Sequence, residues 1–226
     1  MNGQKALYRP YGYTNFYVEL NEFLIDGENE IRVIARNADQ PNSRWYSGTG
    51  IFRPVWLWAA GEKHIRLNGV KIDTLSILPA KIRVRVETSV PGDVFVEILD
   101  GENTVATACG TGELIIEVPD AKLWNVDTPN LYKARVTFGD DVVPETFGVR
   151  TLTWTPDKGI AINGKRVVIR GACIHHDNGL LGACTYPEAE ERRISILKAA
   201  GYNLSALHTT RAPNISWRSA TGSECS

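Results

Sequence analysis

The first two thirds of the chain consist of short segments in which apolar and polar residues alternate. Alternation with a period of two is typical of strands that bury one face, and clusters of Gly, Asp, Asn and Pro separate the segments. The segments predicted as strands are 16–20, 31–35, 51–57, 81–87, 94–99, 114–118 and 131–138. Short strands at regular spacing from Glu62 to Thr151 predict a β-sandwich of the immunoglobulin type.

The pattern changes near Trp154. A hairpin is predicted around Asn163-Gly164, because this dipeptide favours the two-residue turn that joins antiparallel strands. A strand that ends near His175, a helix, and a second strand that enters at Tyr202-Asn203 follow in that order. This succession predicts the first unit of a parallel α/β fold.

The predicted helix carries signals at both ends. Thr185 and Glu188 have the spacing of a capping box, in which each side chain bonds the backbone of the other. Pro187 suits the first turn, where a backbone N–H is not needed. Gly201 is a natural end. We therefore expect a helix that opens at Thr185 and stops before Gly201.

Composition limits the classes of partner. Of the 226 residues, 43% are hydrophobic and 23% are charged, and the net charge is −1. This excludes the basic surface expected of a nucleic-acid or membrane-surface binder, and no apolar run approaches the roughly 20 residues that span a bilayer. Four cysteines, at 109, 173, 184 and 225, form no CxxC pair, so neither a metal site nor a disulfide framework is expected. A reducing compartment such as the cytoplasm is favoured; the location is otherwise undetermined.

One candidate binding segment lies in a glycine-flanked loop. Arg44 offers a guanidinium, and Trp45 and Tyr46 offer aromatic faces, which are groups that sugars meet in binding sites. The alternative is structural, since the two aromatic side chains could anchor the loop in its own core. The loop alone does not decide between these interpretations.

A second candidate segment follows the predicted strand after the hairpin. His175, His176 and Asp177 would lie at the carboxyl end of a barrel strand, where barrel enzymes place their active sites. A neutral imidazole can donate to a sugar hydroxyl, and a carboxylate can accept from one. Zinc binding is disfavoured, because adjacent histidines point to opposite sides of an extended chain and no third ligand is evident. A purely structural role stays open.

Motifs between Tyr11 and Asn203 occur in the order found in glycoside hydrolase family two. They are residues 40–55 around Arg44-Trp45-Tyr46, Leu123-Trp124, Pro129-Asn130-Leu131-Tyr132, Phe147-Gly148-Val149-Arg150, Asn163-Gly164-Lys165-Arg166-Val167 through Arg170-Gly171, and His175-His176-Asp177 through Leu181-Gly182-Ala183. Each motif alone is weak, but together they are specific. Within this family the chain most resembles β-galactosidases, with β-glucuronidases and β-mannosidases as alternatives.

The resemblance implies a mainly β chain with three domains. Residues 1–60 would be the C-terminal part of a sugar-binding jelly-roll domain, 61–151 an immunoglobulin-like β-sandwich domain, and 152–203 the start of a catalytic (β/α)8 barrel. Residues 204–226 are interpreted as an out-of-frame tail, because loss of one base after the Asn203 codon would convert a family-like sequence into the observed one. The chain is therefore expected to be an interior fragment.

The resemblance also implies retaining hydrolysis of terminal β-galactosides. Two glutamates, an acid/base and a nucleophile about 5–5.5 Å apart, perform this reaction. In the family they come from later barrel strands, so we expect no catalytic residue in this chain and no activity of the fragment. His175 matches a family histidine that lines the sugar site; His176, Asp177, Arg44 and Trp45 are the other candidate substrate-binding residues. No cofactor is visible, and the resemblance leaves open a metal ion and a homo-oligomer in the parent enzyme.

Two other classes of function stay open. The chain could be a non-catalytic carbohydrate-binding module that kept Trp45 and His175, in which case it binds a sugar without cleaving it. It could also be a sandwich scaffold for assembly, in which case a specific protein partner is expected. Both alternatives are disfavoured, because a truncated fold buries too little of its surface to be stable by itself.

Overall fold

A computed structural model of the chain describes residues 1–11, 14–37, 50–51, 55–174, 178–182 and 186–207, with the backbone alone for 205–207. The described part is mainly β, with twelve strands and one α-helix, which confirms the mainly β fold class. It divides into two compact units. Residues 57–170 form one unit, and the described residues of 1–56 and 171–207 belong to the other.

Seven strands form two antiparallel sheets within residues 57–170. They are β1 (Ile65–Ile77), β2 (Ala80–Thr88), β3 (Val94–Asp100), β4 (Asn103–Gly110), β5 (Glu113–Glu117), β6 (Tyr132–Phe138) and β7 (Asp141–Phe147). One sheet has the strand order β1-β2-β5 and the other β4-β3-β6-β7. Side chains from both sheets share one apolar core. The unit is therefore a two-layer sandwich with its core between the layers.

Strand alternation builds this core. In β2, Ile82, Val84 and Val86 are buried, whereas Arg83 and Arg85 between them face outward. The second sheet supplies the other half of the core through β3 and β6. Its buried side chains are Val94, Val96, Ile98, Tyr132, Ala134, Val136 and Phe138. The predicted strands at 81–87, 94–99, 114–118 and 131–138 are thus confirmed, because the buried positions of each have a matching layer to pack against.

Three strands of the sandwich have weaker sequence patterns and were not predicted individually. β1 is interrupted between Ile65 and Val70, where a Cβ on Gly69 would lie 2.7 Å from the Arg66 carbonyl oxygen. β4 and β7 are the edge strands of their sheet. β7 contains Pro144, which an edge strand tolerates because one side of the strand needs no ladder hydrogen bonds.

A small antiparallel sheet follows the sandwich. It consists of β8 (Leu152–Thr155), β9 (Gly159–Ile162) and β10 (Lys165–Arg166), in the order β10-β9-β8. Asn163 and Gly164 connect β9 to β10 with φ values of 51° and 76°, the left-handed backbone that a type I′ turn requires. The hairpin predicted around Asn163-Gly164 is confirmed.

The other unit contains the strand–helix–strand succession. It consists of β11 (Gly171–Ile174), α1 (Pro187–Ala199) and β12 (Leu204–Leu207). β11 and β12 pair in parallel, with Gly171 opposite Leu204, as the predicted α/β unit requires. β12 occupies the first four residues of the segment that was interpreted as an out-of-frame tail.

The start of α1 differs from the prediction. Tyr186 is the N-cap residue, its side chain makes no capping hydrogen bond, and Pro187 is the first residue of the helix. A residue before proline is driven to extended backbone, and Tyr186 has φ −100° and ψ 138°. The predicted helix start at Thr185 is therefore wrong by one residue, and the capping box stays a prediction because Thr185 lies outside the described residues. Gly201, with φ 88°, follows the helix end as expected. None of the described helices combines the length and apolar character of a membrane-crossing segment.

The strands predicted in the first 57 residues are not formed in the part of that region that the structure describes. Residues 16–20 and 31–35 belong to no ladder, and 51–57 is described only at 51 and 55–57, without a strand. The long-range hydrogen bonds described in this region come from Asn2. Its backbone N–H donates to the Glu30 carbonyl, its Oδ1 accepts from the Glu30 N–H, and its Nδ2 donates to the Phe23 carbonyl. Alternation marks residues that suit a strand, but a strand also needs a paired neighbour. Among the described residues these segments have none.

Adjacent isoleucines in β5 test the core directly. Ile116 is 3% exposed and Ile115 is 62% exposed. We expect Ile116→Ala to lower the free energy of unfolding by about 3 kcal/mol, because it removes buried methylenes and leaves a cavity. Ile115→Ala should change it by about 0.5 kcal/mol or less. Urea denaturation followed by circular dichroism measures both, and equal effects would contradict the two-layer packing.

An ion-pair cluster on the outer face of the sandwich predicts a pH dependence. Arg83 and Arg85 both donate to Asp73 Oδ2, at 3.0 and 2.9 Å for their Nη2 atoms. The hydrogen bond from Arg83, with the charges of both arginines, lowers the pKa of Asp73. Because the folded-state pKa is depressed, this contribution to stability is present at neutral pH and is lost as pH falls below about 4.

Asp73→Asn should therefore flatten the decline of the urea midpoint between neutral and acidic pH. The control is Asp93→Asn, since Asp93 is exposed and forms no ion pair within the described residues. A decline of unchanged steepness in the Asp73 variant would show that the cluster contributes nothing to stability.

Candidate functional site

All five predicted substrate-binding residues lie outside the described residues. Arg44 and Trp45 fall in the gap before residue 50, and His175, His176 and Asp177 fall directly after β11. Their roles stay predictions. The structure does describe the elements that adjoin the second group, and it brings together several motifs that carried the family resemblance.

Parallel pairing holds β11, the strand that precedes His175 in sequence. β11 pairs with β12 from Gly171 to Ile174, and Ile174 is buried. A Cβ on Gly171 would lie 3.3 Å from the Leu204 side chain, so the glycine allows close approach of the two strands. Parallel pairing puts both carboxyl ends at one edge. β11 therefore ends at the edge of the strand pair at which α/β folds bind ligands.

A polar cluster includes Asn178, the residue that directly follows Asp177 in sequence. We define the Glu190 cluster as Asn178, Glu190 and Arg193. Asn178 Nδ2 donates to Glu190 Oε1 at 3.0 Å, the Arg193 guanidinium donates to Asn178 Oδ1, and Arg193 Nη1 lies 3.8 Å from Glu190 Oε1. Glu190 is 5% exposed and, among the described residues, alone of the charged ones is buried. The cluster compensates a carboxylate that would otherwise be costly to bury.

The Glu190 cluster fixes a turn to the helix. The Asn178 N–H donates to the Gly182 carbonyl at 2.8 Å, and the Leu181 N–H donates to the Asn178 carbonyl at 3.2 Å. The Asn178 side chain forms hydrogen bonds with Glu190 and Arg193 of α1. The residue that directly follows Asp177 is therefore held from both sides. Sequence reasoning missed this cluster, because only the fold brings position 178 to the side of α1.

A second cluster lies where the sandwich meets the hairpin. We define the Trp124 junction as Trp124, Gly148, Arg150, Thr151 and Asn163. The Arg150 guanidinium lies 4.1 Å from the centroid of the Trp124 ring, a cation–π contact. A Cβ on Gly148 would lie 2.7 Å from Trp124 Cβ. Only glycine at position 148 leaves room for the tryptophan, which explains the Gly within that motif.

Hydrogen bonds close the Trp124 junction. The Trp124 N–H donates to the Val149 carbonyl at 2.9 Å, and the Trp124 carbonyl accepts from Asn163 Nδ2 at 2.9 Å. Desolvation by burial lowers the pKa of Arg150, and burial raises the pKa of Glu145 in the neighbouring strand β7. The contacts of the Trp124 junction join structural elements through packing and backbone hydrogen bonds, so we interpret the junction as an architectural site.

Another motif of the resemblance, residues 129–132, bonds the chain next to Trp124. Asn130 Nδ2 donates to the Leu123 carbonyl at 3.0 Å, and the Lys122 N–H donates to the Tyr132 hydroxyl at 2.8 Å. The Tyr132 ring stacks on Phe147 with centroids 5.9 Å apart. Four motifs that are separated in sequence, at 123–124, 129–132, 147–150 and 163–164, thus meet in one region. Their contacts join the sandwich to the hairpin.

The architecture is a two-sheet sandwich with an attached hairpin, followed in sequence by a parallel strand–helix–strand unit. Residues 68–150 match the family model of glycosyl hydrolases family 2, and the match ends at Arg150 of the Trp124 junction. Family 2 similarity also extends beyond this region, over most of the chain. The resemblance to glycoside hydrolase family two is therefore confirmed.

Named relatives show the extent of this similarity. A β-galactosidase from Bacteroides ovatus is 33% identical over 95% of this chain. A crystal structure of a family 2 glycosyl hydrolase from Bacteroides cellulosilyticus has 31% identity and a TM-score of 0.72 over 80% of the chain. The Ruminococcus gnavus β-glucuronidase has 25% identity and a TM-score of 0.64 over 71%. The chain spans 28%, 26% and 28% of these proteins, respectively.

Adjacent glutamates on α1 test the Glu190 cluster. Glu190→Ala would leave the Asn178 amide and the Arg193 guanidinium without their buried acceptor, which costs about 3 kcal/mol locally. We expect amide hydrogen exchange in α1 to accelerate at least tenfold. Glu191→Ala, which removes an exposed carboxylate one residue away, is the matched control. Equal exchange rates in the two variants would show that the cluster does not hold the helix.

Proposed function

We propose that this chain is part of a retaining β-glycosidase whose parent enzyme hydrolyses terminal β-galactosides. The observation that carries the proposal is the 33% identity to a β-galactosidase over 95% of the chain. A β-glucuronidase or β-mannosidase parent is the alternative, and the similarity to a β-glucuronidase structure supports the first of these. Because the chain spans about a quarter of its relatives, the activity is proposed for the longer protein.

The proposed domain roles follow the order of the elements. The sheet orders β1-β2-β5 and β4-β3-β6-β7 support an immunoglobulin-like sandwich at 61–151. The parallel pair of β11 and β12, with α1 between them, supports the start of a (β/α)8 barrel within 152–203. A jelly-roll assignment for residues 1–60 rests on the sequence resemblance alone.

The proposed contribution of this chain to catalysis is substrate binding. His175, at the end of the first barrel strand, donates from a neutral imidazole to a sugar hydroxyl, and Asp177 accepts from one. His176 lies between them in sequence, and Arg44 and Trp45 supply a cation and an aromatic face. Hydrogen bonds of this kind accelerate the reaction only as far as they strengthen in the oxocarbenium-like transition state.

Proton transfer and covalent attack are assigned to glutamates supplied by later barrel strands of the parent. Retention requires that these carboxyl groups lie about 5–5.5 Å apart across the glycosidic bond. The 226-residue chain is accordingly proposed to be inactive by itself. Sugar hydroxyl contacts position a substrate, but they cannot replace an acid/base and a nucleophile.

A chimera tests the proposal. Residues 1–203 would replace the aligned segment of the Bacteroides ovatus β-galactosidase, and the product would be assayed with aryl β-galactoside, β-glucuronide and β-mannoside. We expect β-galactoside hydrolysis by the chimera and none by the 226 residues. His175→Ala should lower kcat/KM about a hundredfold, as loss of a transition-state hydrogen-bond donor does.

The matched control is His64→Ala, which removes a histidine that packs against Trp58 in the other unit. A folded chimera that cleaves none of the three substrates would contradict the β-glycosidase assignment. Cleavage of the β-glucuronide alone would replace the β-galactosidase parent with the alternative. Turnover by the isolated chain would contradict its proposed inactivity.

A further inference from the structure

A carboxylate lies on the inner face of β7, an edge strand of the sandwich. Partly buried and exposed residues alternate along β7, so Val143, Glu145 and Phe147 share the face that points to the core. Val143 and Phe147 pack against the core. Glu145 lies between these two apolar residues on that face, at a position where a third apolar side chain would be expected.

The residues beside Glu145 across the sheet are apolar. The strand register puts Glu145 opposite Ala134 of β6, Ala134 opposite Ile98 of β3, and Ile98 opposite Ala106 of β4. Ala134 and Ile98 are fully buried. Directly opposite residues have their Cβ atoms about 5 Å apart. The Glu145 carboxylate therefore stands at the end of a row of side chains that contains no hydrogen-bond donor.

Within the described residues, no partner compensates the charge of Glu145. Asp141, on the same face of β7, accepts from the Ile65 N–H at 2.8 Å, whereas Glu145 forms no side-chain hydrogen bond or ion pair in the part of the chain that the structure describes. The other charged residues of β1, β6 and the segment after β7 bond other groups or face outward. They are Arg66, Lys71, Asp73, Lys133, Arg135 and Arg150.

We propose that Glu145 is a pH-sensitive group whose ionisation loosens β7 against β6. Within the described residues β7 is the last strand of its sheet and pairs with β6 alone, so it can open without breaking the pairing of the central strands. The Phe147 ring at the end of β7 stacks on Tyr132, and Gly148 and Arg150 of the Trp124 junction follow. Opening of β7 therefore weakens that junction as well. This role does not depend on the proposed glycosidase activity.

Burial determines the direction of the pH dependence. A carboxylate in apolar surroundings is disfavoured in its charged form, and burial raises the pKa of Glu145. Because the folded-state pKa is raised, the cost is absent below the pKa of the unfolded chain and complete above the folded-state pKa. β7 should therefore be held more firmly as pH falls from neutral to about 4.5, before the Asp73 ion pairs lose their contribution.

Amide hydrogen exchange in the 226-residue chain tests this role. Glu145→Gln keeps the shape of the side chain and removes its charge, so at neutral pH we expect about fivefold higher protection factors for the β7 amides that bond β6 and for the Trp124 amide. Glu113→Gln is the matched control, because Glu113 is exposed on β5 and forms no ion pair within the described residues. It should change the same protection factors less than twofold. Equal protection in the Glu145 variant and the unsubstituted chain would overturn the proposal.

A pH series separates charge from packing. The ratio of protection factors between Glu145→Gln and the unsubstituted chain should fall towards one as pH is lowered, because the native carboxyl group becomes protonated. A ratio that stays constant with pH would assign the effect to side-chain shape and overturn the pH-sensitive role. The carboxyl carbon signals of labelled glutamate, assigned by their loss in the two Gln variants, provide a second measurement. We expect Glu145 to titrate at higher pH than Glu113, and equal midpoints would also contradict the proposal.

Discussion

Burial of alternate side chains between two sheets is the constraint on which the structure depends. Each inward residue of β2 or β3 needs the opposite layer to complete its contacts, so neither sheet would be stable alone. The same burial fixes strand register, since a shift by one residue would turn apolar side chains to solvent. The outer face of the β1-β2-β5 sheet can then carry charge, and Asp73 with its two arginines occupies it. The β8–β10 hairpin is attached to this packed sandwich.

The Trp124 junction extends that rigidity to the hairpin. A tryptophan loop, a glycine that makes room for it, an arginine stacked on its ring and the amide of Asn163 form one connected set of contacts. Family 2 motifs from four sequence positions converge there. Their shared feature is the joining of structural elements, which separates the architectural part of the family signature from its chemistry. The chemistry is a proposal for the residues after β11 and for the longer protein.

The Glu190 cluster has an analogous role on the other unit. A buried carboxylate is tolerable only when donors surround it, and Asn178 and Arg193 are those donors. Through Asn178 the cluster ties the turn at 178–182 to α1.

The sequence by itself determined the local choices. Alternation identified the strands whose buried faces meet a second layer, Asn163-Gly164 identified the hairpin turn, and the motifs together identified the family. It failed at residues 16–20 and 31–35, where the alternation is present but no paired strand is described, and at Thr185, where Pro187 moved the helix start. Of the candidate site, it named five candidate substrate-binding residues, but it could not place them.

The tertiary structure alone decided which distant residues meet. Nothing in the local pattern couples Trp124 to Asn163 or Asn178 to Glu190, because their separation in sequence exceeds any helical or strand period. Periodicity reports how a residue suits its own element, whereas these contacts depend on how elements pack. Secondary structure and turn chemistry are short-range properties and can be inferred from the chain. Partners of buried polar groups are long-range properties, since folding must first bring them together.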